Sequence, residues 1–315
     1  MTQAAGQVET MAGARPMRRW LGAGWVGGIL LALIALPCFA TLPWSLARYE
    51  GSVADLAAAR QPPSFAHPMG TDTLGRSLLW RCLLGGAISL SIGAAAALIA
   101  VVIGVTWGAL AGYVGGRTDA VMMRIVDVLY GLPYILLVVL VTIALQPAVE
   151  RTARGLIAAD AAQGVGEVVT LLIAIGGVSW LTLARVIRGQ VLSLRGQPFI
   201  EAARATGVGP GRMLRVHLLP NLTGPIVVYA TLTVPTAILQ ESFLSFLGIG
   251  VQEPLPSWGS LAAAGVAQLP SLSLAGAGAV FRWWLLLWPC VLLGLTLLSL
   301  NFLGDALRGR MQGRG

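Results

Sequence analysis

The chain has 315 residues, 56% of them hydrophobic and only 11% charged, with a mean hydropathy of +0.79; one soluble core cannot hide that much apolar surface, so a membrane protein is the expected class. The formal charge of +8 comes from arginine alone, since there is no lysine, and the arginines sit at the ends of apolar runs, not in a patch with interleaved aromatics, which excludes a nucleic-acid binder. The cysteines Cys38, Cys82 and Cys290 lie in or beside apolar runs with no partner at metal-ligand or redox spacing, and read as small apolar residues.

A spanning helix needs roughly 20 mostly apolar residues to cross about 30 Å of hydrocarbon. Seven charge-free runs are long enough to consider: 20–47, 82–116, 128–149, 168–184, 216–240, 254–281 and 283–304. The first holds 28 residues after Arg18 and Arg19, too long for the apolar part of a cleavable signal, and reads as a membrane anchor. A polar stretch from Pro43 to Arg81 follows and closes on His67, Pro68, Met69, Gly70, Thr71, Asp72, Thr73, Leu74, Gly75 and Arg76. Pro68 and Gly70 favour a turn that includes His67, while Asp72 and Arg76 have the spacing of a helical ion pair at a capped entry into the second span. Within that span Gly86, Gly93, Ala97, Gly104 and Gly108 suit close helix packing. The sixth run opens Pro254, Leu255, Pro256, Ser257, Trp258, Gly259 and later carries Pro270. A lipid-exposed backbone broken in this way would leave amides unsatisfied, so an extramembranous or re-entrant loop is expected.

Six spans put both termini on one side. That side carries Arg15, Arg18, Arg19, Arg117, Arg124, Arg185, Arg188, Arg195, Arg204, Arg212, Arg215, Arg308, Arg310 and Arg314, against Arg48, Arg60, Arg76, Arg81, Arg151, Arg154 and Arg282 on the other. The richer face is expected to be cytoplasmic. The fold class is therefore all-α: a polytopic protein with six transmembrane helices and both termini cytoplasmic. It divides into a tail 1–19, an anchor 20–47, an extracytoplasmic segment 48–81, a five-helix core 82–306 and a tail 307–315. The core holds a cytoplasmic loop 186–222 and an extracytoplasmic loop 246–282.

The connection between the fourth and fifth spans reads Gln197, Pro198, Phe199, Ile200, Glu201, Ala202, Ala203, Arg204, Ala205, Thr206, Gly207, and continues through Pro210, Arg212 and Arg215 to His217, Pro220 and Asn221. This is a short helix, a glycine break, a second short helix and a proline stop. Pro198 suits a first turn, Glu201 the positive end of the helix dipole, and Gly207 a left-handed terminus. Phe199, Ala202 and Ala203 are expected to share one apolar face rimmed by Arg204, and the two helices to form a compact knob. The plainer alternative is an amphipathic pair lying on the inner leaflet with its arginines at the headgroups.

Glu201, Ala202, Ala203, Gly207 and the His217 to Asn221 stretch resemble the EAA loop of ABC importer permeases. Gly70, Thr71, Asp72, Gly75 and Arg76, with Leu244 to Gln252, Pro256, Ser257, Trp258 and Gly259, and Asn301 to Arg308, are similar to the dipeptide and oligopeptide branch in particular. The resemblance covers residues 65 to 310. It implies a type I importer permease whose loop seats on a cytoplasmic ATPase. The complex would hold a companion permease subunit in a hetero-dimer, two ABC ATPase subunits that bind ATP and Mg, and an extracytoplasmic solute-binding protein, in a bacterial inner membrane. This chain departs from the branch at Ser77, Glu253 and Cys290, where an acid, a proline and a glycine are usual, and in longer stretches at Gln146 to Gly166 and Val266 to Val280.

A phosphate-binding P-loop requires lysine, so this chain has none, and no cofactor or metal is expected in it. His67 and His217 fall on opposite sides of the membrane, and no HExxH, GxSxG or carboxylate cluster appears. Asp127, opening the third span, and Glu241, closing the fifth, are translocation-path candidates, with a water-exposed structural role weighing more. The rival readings are an ion-driven secondary transporter, which would show repeats and mid-span acids, a scaffold without a transport role, and an ABC permease for a metal chelate or other small solute.

Overall fold

The computed structural model describes residues 15–50, 56–156, 159–269 and 282–312. The 1–14 part of the N-terminal tail, with Arg314 and most of the 266–280 stretch, lies outside them. The described residues form helices and no strand, apart from one isolated bridge between Thr71 and Ser77. Helix α1 is Arg15–Ala40, α2 Leu42–Glu50, α3 Leu78–Val114, α4 Gly116–Tyr130, α5 Tyr134–Leu156, α6 Ala159–Arg195 and α7 Pro198–Ala205. A helical turn Pro210–Arg212 and a π-helical stretch Met213–Leu218 lead into α8 Leu219–Phe246, followed by α9 Trp258–Val266 and α10 Trp284–Gln312.

Among the described residues five helices are long and apolar enough to span a bilayer, namely α3, α5, α6, the rod that ends in α8, and α10, and a shorter apolar helix, Gly24–Ala40 of α1, joins them. Their order follows from close approaches. Gly27 of α1 packs on Ser299 and Phe302 of α10, so those helices run antiparallel with the start of α1 beside the end of α10. At the far end of α1, Cys38 meets Gly86 near the start of α3, and Gly112 near the end of α3 meets Arg188 and Val191 of α6. The start of α1, the end of α10 and the 196–218 loop therefore share one end of the bundle.

The α3–α6 pair is the most extensive helix contact. Small residues at four-residue spacing make it possible: a β-carbon on Gly104 would lie 3.0 Å from the Trp180 carbonyl oxygen, and one on Gly112 3.0 Å from that of Arg188. Without a hydrophobic drive between helices in lipid, such close backbone packing supplies the dispersion contacts that hold them together.

Two sequence expectations change here. Asp127 does not open the third span; it lies on α4, an amphipathic helix separated from α5 by Gly131, Leu132 and Pro133. Pro220 does not stop a helix, because the π-helical stretch Met213–Leu218 joins Pro210–Arg212 to α8 in one rod that passes through Pro220. Of the sixth run, expected as an extramembranous or re-entrant loop, the described part 254–269 forms α9, packed inside with Trp258 fully buried and its Nε1 donating to the Cys82 carbonyl at 3.0 Å.

Candidate functional site: a coupling knob, a cleft and an ion-pair plug

Helix α7 starts at Pro198 after an extended Gln197 and ends at Thr206. The ending is a Schellman motif: Gly207, at φ +79°, donates its N–H to the Arg204 carbonyl at 2.9 Å, and Val208 donates to Ala203 at 3.2 Å. Ile200 and Ala203 point inward and join Met213, Leu218 and Leu222 in a core shared with Val105 and Ala109 of α3 and Leu183, Ile187 and Val191 of α6. Ala203 thus belongs to the inner face, not to the outward face with Phe199 and Ala202, as the sequence spacing suggests. The outward surface carries Phe199, which is 42% exposed, with Glu201, Ala202, Arg204 and Gly207 exposed around it. Arg212 and Pro220 are exposed as well, His217 is half-buried, and the exposed Asn221 donates from Nδ2 to the His217 carbonyl at 2.7 Å. The knob is a helix-capped projection with one exposed aromatic in a polar rim.

Ion pairs brace this end of the bundle. Arg188 holds Asp119 of α4 with Nε and Nη2, the latter at 2.6 Å, while Arg185 donates to Asp127 at 2.9 Å and lies 4.0 Å over the Tyr130 ring. Asp127 is accordingly exposed and structural.

Between α5, α6 and α8 runs a cleft of about 560 Å³ whose lining includes Tyr134, Ser179, Thr182, Tyr229, Thr233, Thr236 and Gln240. The Tyr134 hydroxyl donates to Gln240 Oε1 at 2.6 Å and lies 3.0 Å from Ser179 Oγ, joining all three helices. These uncharged hydrogen-bonding groups were missed in the sequence. Their signal was weak, scattered uncharged polar residues in an apolar context, and only the fold brings them together.

Glu241, adjacent to Gln240, departs from the water-exposed role. It is 0% exposed; Ser245 donates to Oε1 at 2.8 Å, Ser242 lies 3.2 Å from Oε2, and Ser89 and Ser257 also hydrogen-bond to it. Through Ser89 of α3 and Ser257 at the start of α9, it fastens α9 to the bundle. Ser257 and Ser260 form a capping box at that start, and Gly259 is the point where α9 touches the Ser242 backbone.

At the end opposite the knob, the 70–77 segment is a tight loop, not a helical turn. Asp72 Oδ1 accepts the Leu74 and Arg76 amides at 2.9 and 2.8 Å, so the Asp72–Arg76 pair at four-residue spacing is an Asx-turn pair. Oδ2 takes Arg76 Nε at 2.7 Å and the buried Arg81 at 2.6 Å; both arginines also reach Glu253 Oε1, at 2.9 and 2.7 Å. Thr71 Oγ1 donates to the Ala58 carbonyl at 2.6 Å, and Gly70 sits against the Trp284 ring. Gly75 takes a positive φ at the turn, and Pro256 leads into Ser257. The plug thus joins the stretches 70–76 and 253–259 that the sequence motifs single out. Partial burial opposes ionisation of Glu253, yet the charges of Arg81 and Arg76 hold its carboxyl below the usual value.

Residues 104–314 match the family model for the binding-protein-dependent transport system inner membrane component. The chain is 40% identical over 283 residues to an oligopeptide transport system permease protein of Bacillus subtilis, covering 90% of this chain and 83% of the relative. It is 43% identical over 247 residues to a dipeptide transport system permease protein of the same organism, covering 78% and 68%. Against the oligopeptide transport system permease protein of Escherichia coli K12 the identity is 42% over 282 residues, covering 89% and 83%. With the capped knob and four of the long apolar helices, α5, α6, the rod ending in α8, and α10, inside the matched region, the chain belongs to the family of inner membrane components of binding-protein-dependent transport systems.

Proposed function

We propose that this chain is the permease subunit of a peptide importer in a bacterial cytoplasmic membrane, paired with a companion permease subunit and driven by two separate ATPase subunits that bind ATP and Mg. A solute-binding protein delivers the peptide to the plug end, and the knob end faces the cytoplasm. The observation that carries this reading is the α7 knob, exposed at Phe199 and Glu201 yet locked by Ile200 into the core of α3, α6 and α8. A push on it reaches the spanning helices directly. The arginine-rich end of the bundle is the knob end, which supports the orientation. The cleft of hydroxyls and amides along α5, α6 and α8 suits the peptide backbone, whose groups need hydrogen-bonding partners in passage. ATP binding moves the transporter only by stabilising one conformation of the knob and helices over the other.

The test is co-expression with the companion permease and ATPases, then purification and reconstitution with the binding protein. The expected result is that an ATPase co-purifies and peptide uptake depends on ATP, while Glu201→Ala and Gly207→Val weaken coupling of hydrolysis to uptake. If no ATPase associates and uptake follows an ion gradient instead, the proposal fails.

A further inference from the structure

Near the plug end, a second cavity of about 250 Å³ lies between α5, α6 and the 248–252 loop, lined by Thr142, Ile143, Gln146, Glu167, Thr170 and Gln252 among others. It lies in series along α5 with the cleft below, Thr142 being eight residues, or about 12 Å, beyond Tyr134. Its chemistry is one-sided. Glu167 is buried, at 8% exposure, and among the described residues it forms no ion pair. It receives the Gln252 amide at 3.0 Å on Oε2 and only a long 3.4 Å contact from Gln163 on Oε1. The hydroxyls of Thr142 and Thr170 are spent on the Val138 and Gly166 carbonyls, at 2.8 and 2.7 Å, and Gln146 Nε2 on Glu150 at 2.9 Å. What Glu167, Thr142 and Thr170 leave for an occupant is acceptor capacity, oxygen lone pairs and an acidic group; the side-chain amides of Gln146 and Gln252 are the donors in the lining, Gln252 Nε2 reaching the Gly250 carbonyl at 3.4 Å.

The neighbouring charges do not relieve it. Glu150, on α5 against Gly166, is paired to the exposed Arg154 at 3.1 Å; Arg151 is exposed; and Glu253, next to Gln252, is taken by Arg76 and Arg81. A buried acid without a cation is costly, and a ligand that brings the positive charge recovers that cost. A primary ammonium has three donors and no acceptor, which matches the Glu167 carboxylate and the threonine oxygens of the lining. The volume lies below the roughly 300–1,000 Å³ of sites that enclose a whole drug-sized ligand, so the cavity holds one end of a molecule.

We infer that this cavity is a receiving site for a primary ammonium group, with Glu167 as its counter-charge, and, resting on the peptide-importer reading, that the group is the free amino terminus of the incoming peptide. Glu167→Gln separates charge from architecture, because the amide oxygen still accepts the Gln252 N–H.

The site is tested in the reconstituted full transporter by placing a thiol at the cavity with Ile143→Cys, in a Cys290→Ser background. Its reaction rates with a cationic and an anionic methanethiosulfonate reagent are each normalised to a free thiol. A carboxylate within several ångströms in a partly wet cavity is expected to favour the cation about tenfold, and Glu167→Gln should bring the ratio near one. Equal rates in the parent, or a ratio unmoved by Glu167→Gln, overturns the ammonium site. In a second arm, uptake of a peptide with a free amino terminus is compared with its N-acetylated form, each at saturating binding protein. Glu167→Gln should lower the first severalfold and leave the second unchanged; equal loss of both overturns the role of the amino terminus. Failure of ATP-driven uptake by the parent transporter would count against the importer reading alone, since the thiol ratio does not depend on transport.

Discussion

Gly207 allows the knob to be perturbed without touching any packing. Its φ of +79° lies in the left-handed region, and a β-carbon added there meets nothing within 4 Å. Substitution therefore costs only backbone strain, about 1–2 kcal/mol for an ordinary L-residue, and less for Asn, which tolerates this region. That cost falls on the two hydrogen bonds ending α7, from Gly207 to Arg204 and from Val208 to Ala203. A loss of 1–2 kcal/mol shifts the capped-to-frayed ratio of the knob by a factor of about 5–30. The expected order of coupling, measured as peptide taken up per ATP hydrolysed in proteoliposomes, is Gly207 ≈ Asn > Ala > Val. The thermal midpoint of the bundle should barely move, because no core residue changes. Uptake per ATP unchanged in Gly207→Val, or Asn as damaging as Val, would refute the argument that the left-handed terminus sets the knob.

Ile200→Ala takes a fully buried side chain out of the knob core; a loss of about 2–5 kcal/mol is expected, read as a lowered thermal midpoint together with weaker ATPase co-purification. Asp72→Ala leaves the buried Arg81, whose side chain is only 7% exposed, with the more exposed Glu253 as its remaining carboxylate, and should destabilise by about 3 kcal/mol, the low end for a broken buried pair, more than a change at Glu253, as measured by heating in detergent. Glu253 is 55% exposed, so Glu253→Gln is expected to cost only about 0.5 kcal/mol after solvent screening. Its carboxyl titrates below the ordinary 4.5, so the stabilisation is complete above that pH and fades as pH falls through the lowered value. Parent and Glu253→Gln midpoints should therefore converge in acid, and a difference that grows on acidification would contradict the pairing. Tyr134→Phe removes the donor to Gln240 and should cost about 1 kcal/mol, with altered uptake but undiminished ATPase assembly.

The long elements were legible because lipid imposes a length and a polarity that a run of residues either meets or does not. The runs 82–116 and 283–304 became α3 and α10 for that reason, and the four-residue spacing of Gly104 and Gly108 declared the α3–α6 seam. What escaped depends on contacts across the chain. Glu241 looks like a span-end acid, and although Ser242 and Ser245 beside it hint at burial, Ser89 and Ser257, distant in sequence, complete its surroundings. Glu167 is buried by a loop that reaches it from 85 residues away. Asp127 was misplaced for a local reason that could have been read: Gly131 and Pro133 mark the break between α4 and α5. Ala203 faces inward because Ile200, one helical turn earlier, is the larger apolar anchor, and the inner face is set by what it can bury, not by the family-like Glu-Ala-Ala pattern.

The mistaken stop at Pro220 has the widest mechanical consequence. Because the π-helical stretch lets the chain pass this proline without a break, the rod from Pro210 to Phe246 spans 37 residues, or about 55 Å if straight. Its lower end shares the knob core at Met213, Leu218 and Leu222, its middle carries Thr233, Thr236 and Gln240 into the cleft, and its upper end is clamped by Glu241 to α3 and α9. A displacement of the knob must therefore rotate or bend this rod against a fixed upper anchor. Bending concentrates where backbone hydrogen bonds are already missing, at Pro225 and Pro235. Pro235 lies five residues before Gln240, so a bend there acts directly on the Tyr134–Gln240 bond that joins α8 to α5. On the proposed importer reading, motion at the knob is carried along this one element toward the cleft, which it meets at Gln240, beside the buried Glu241.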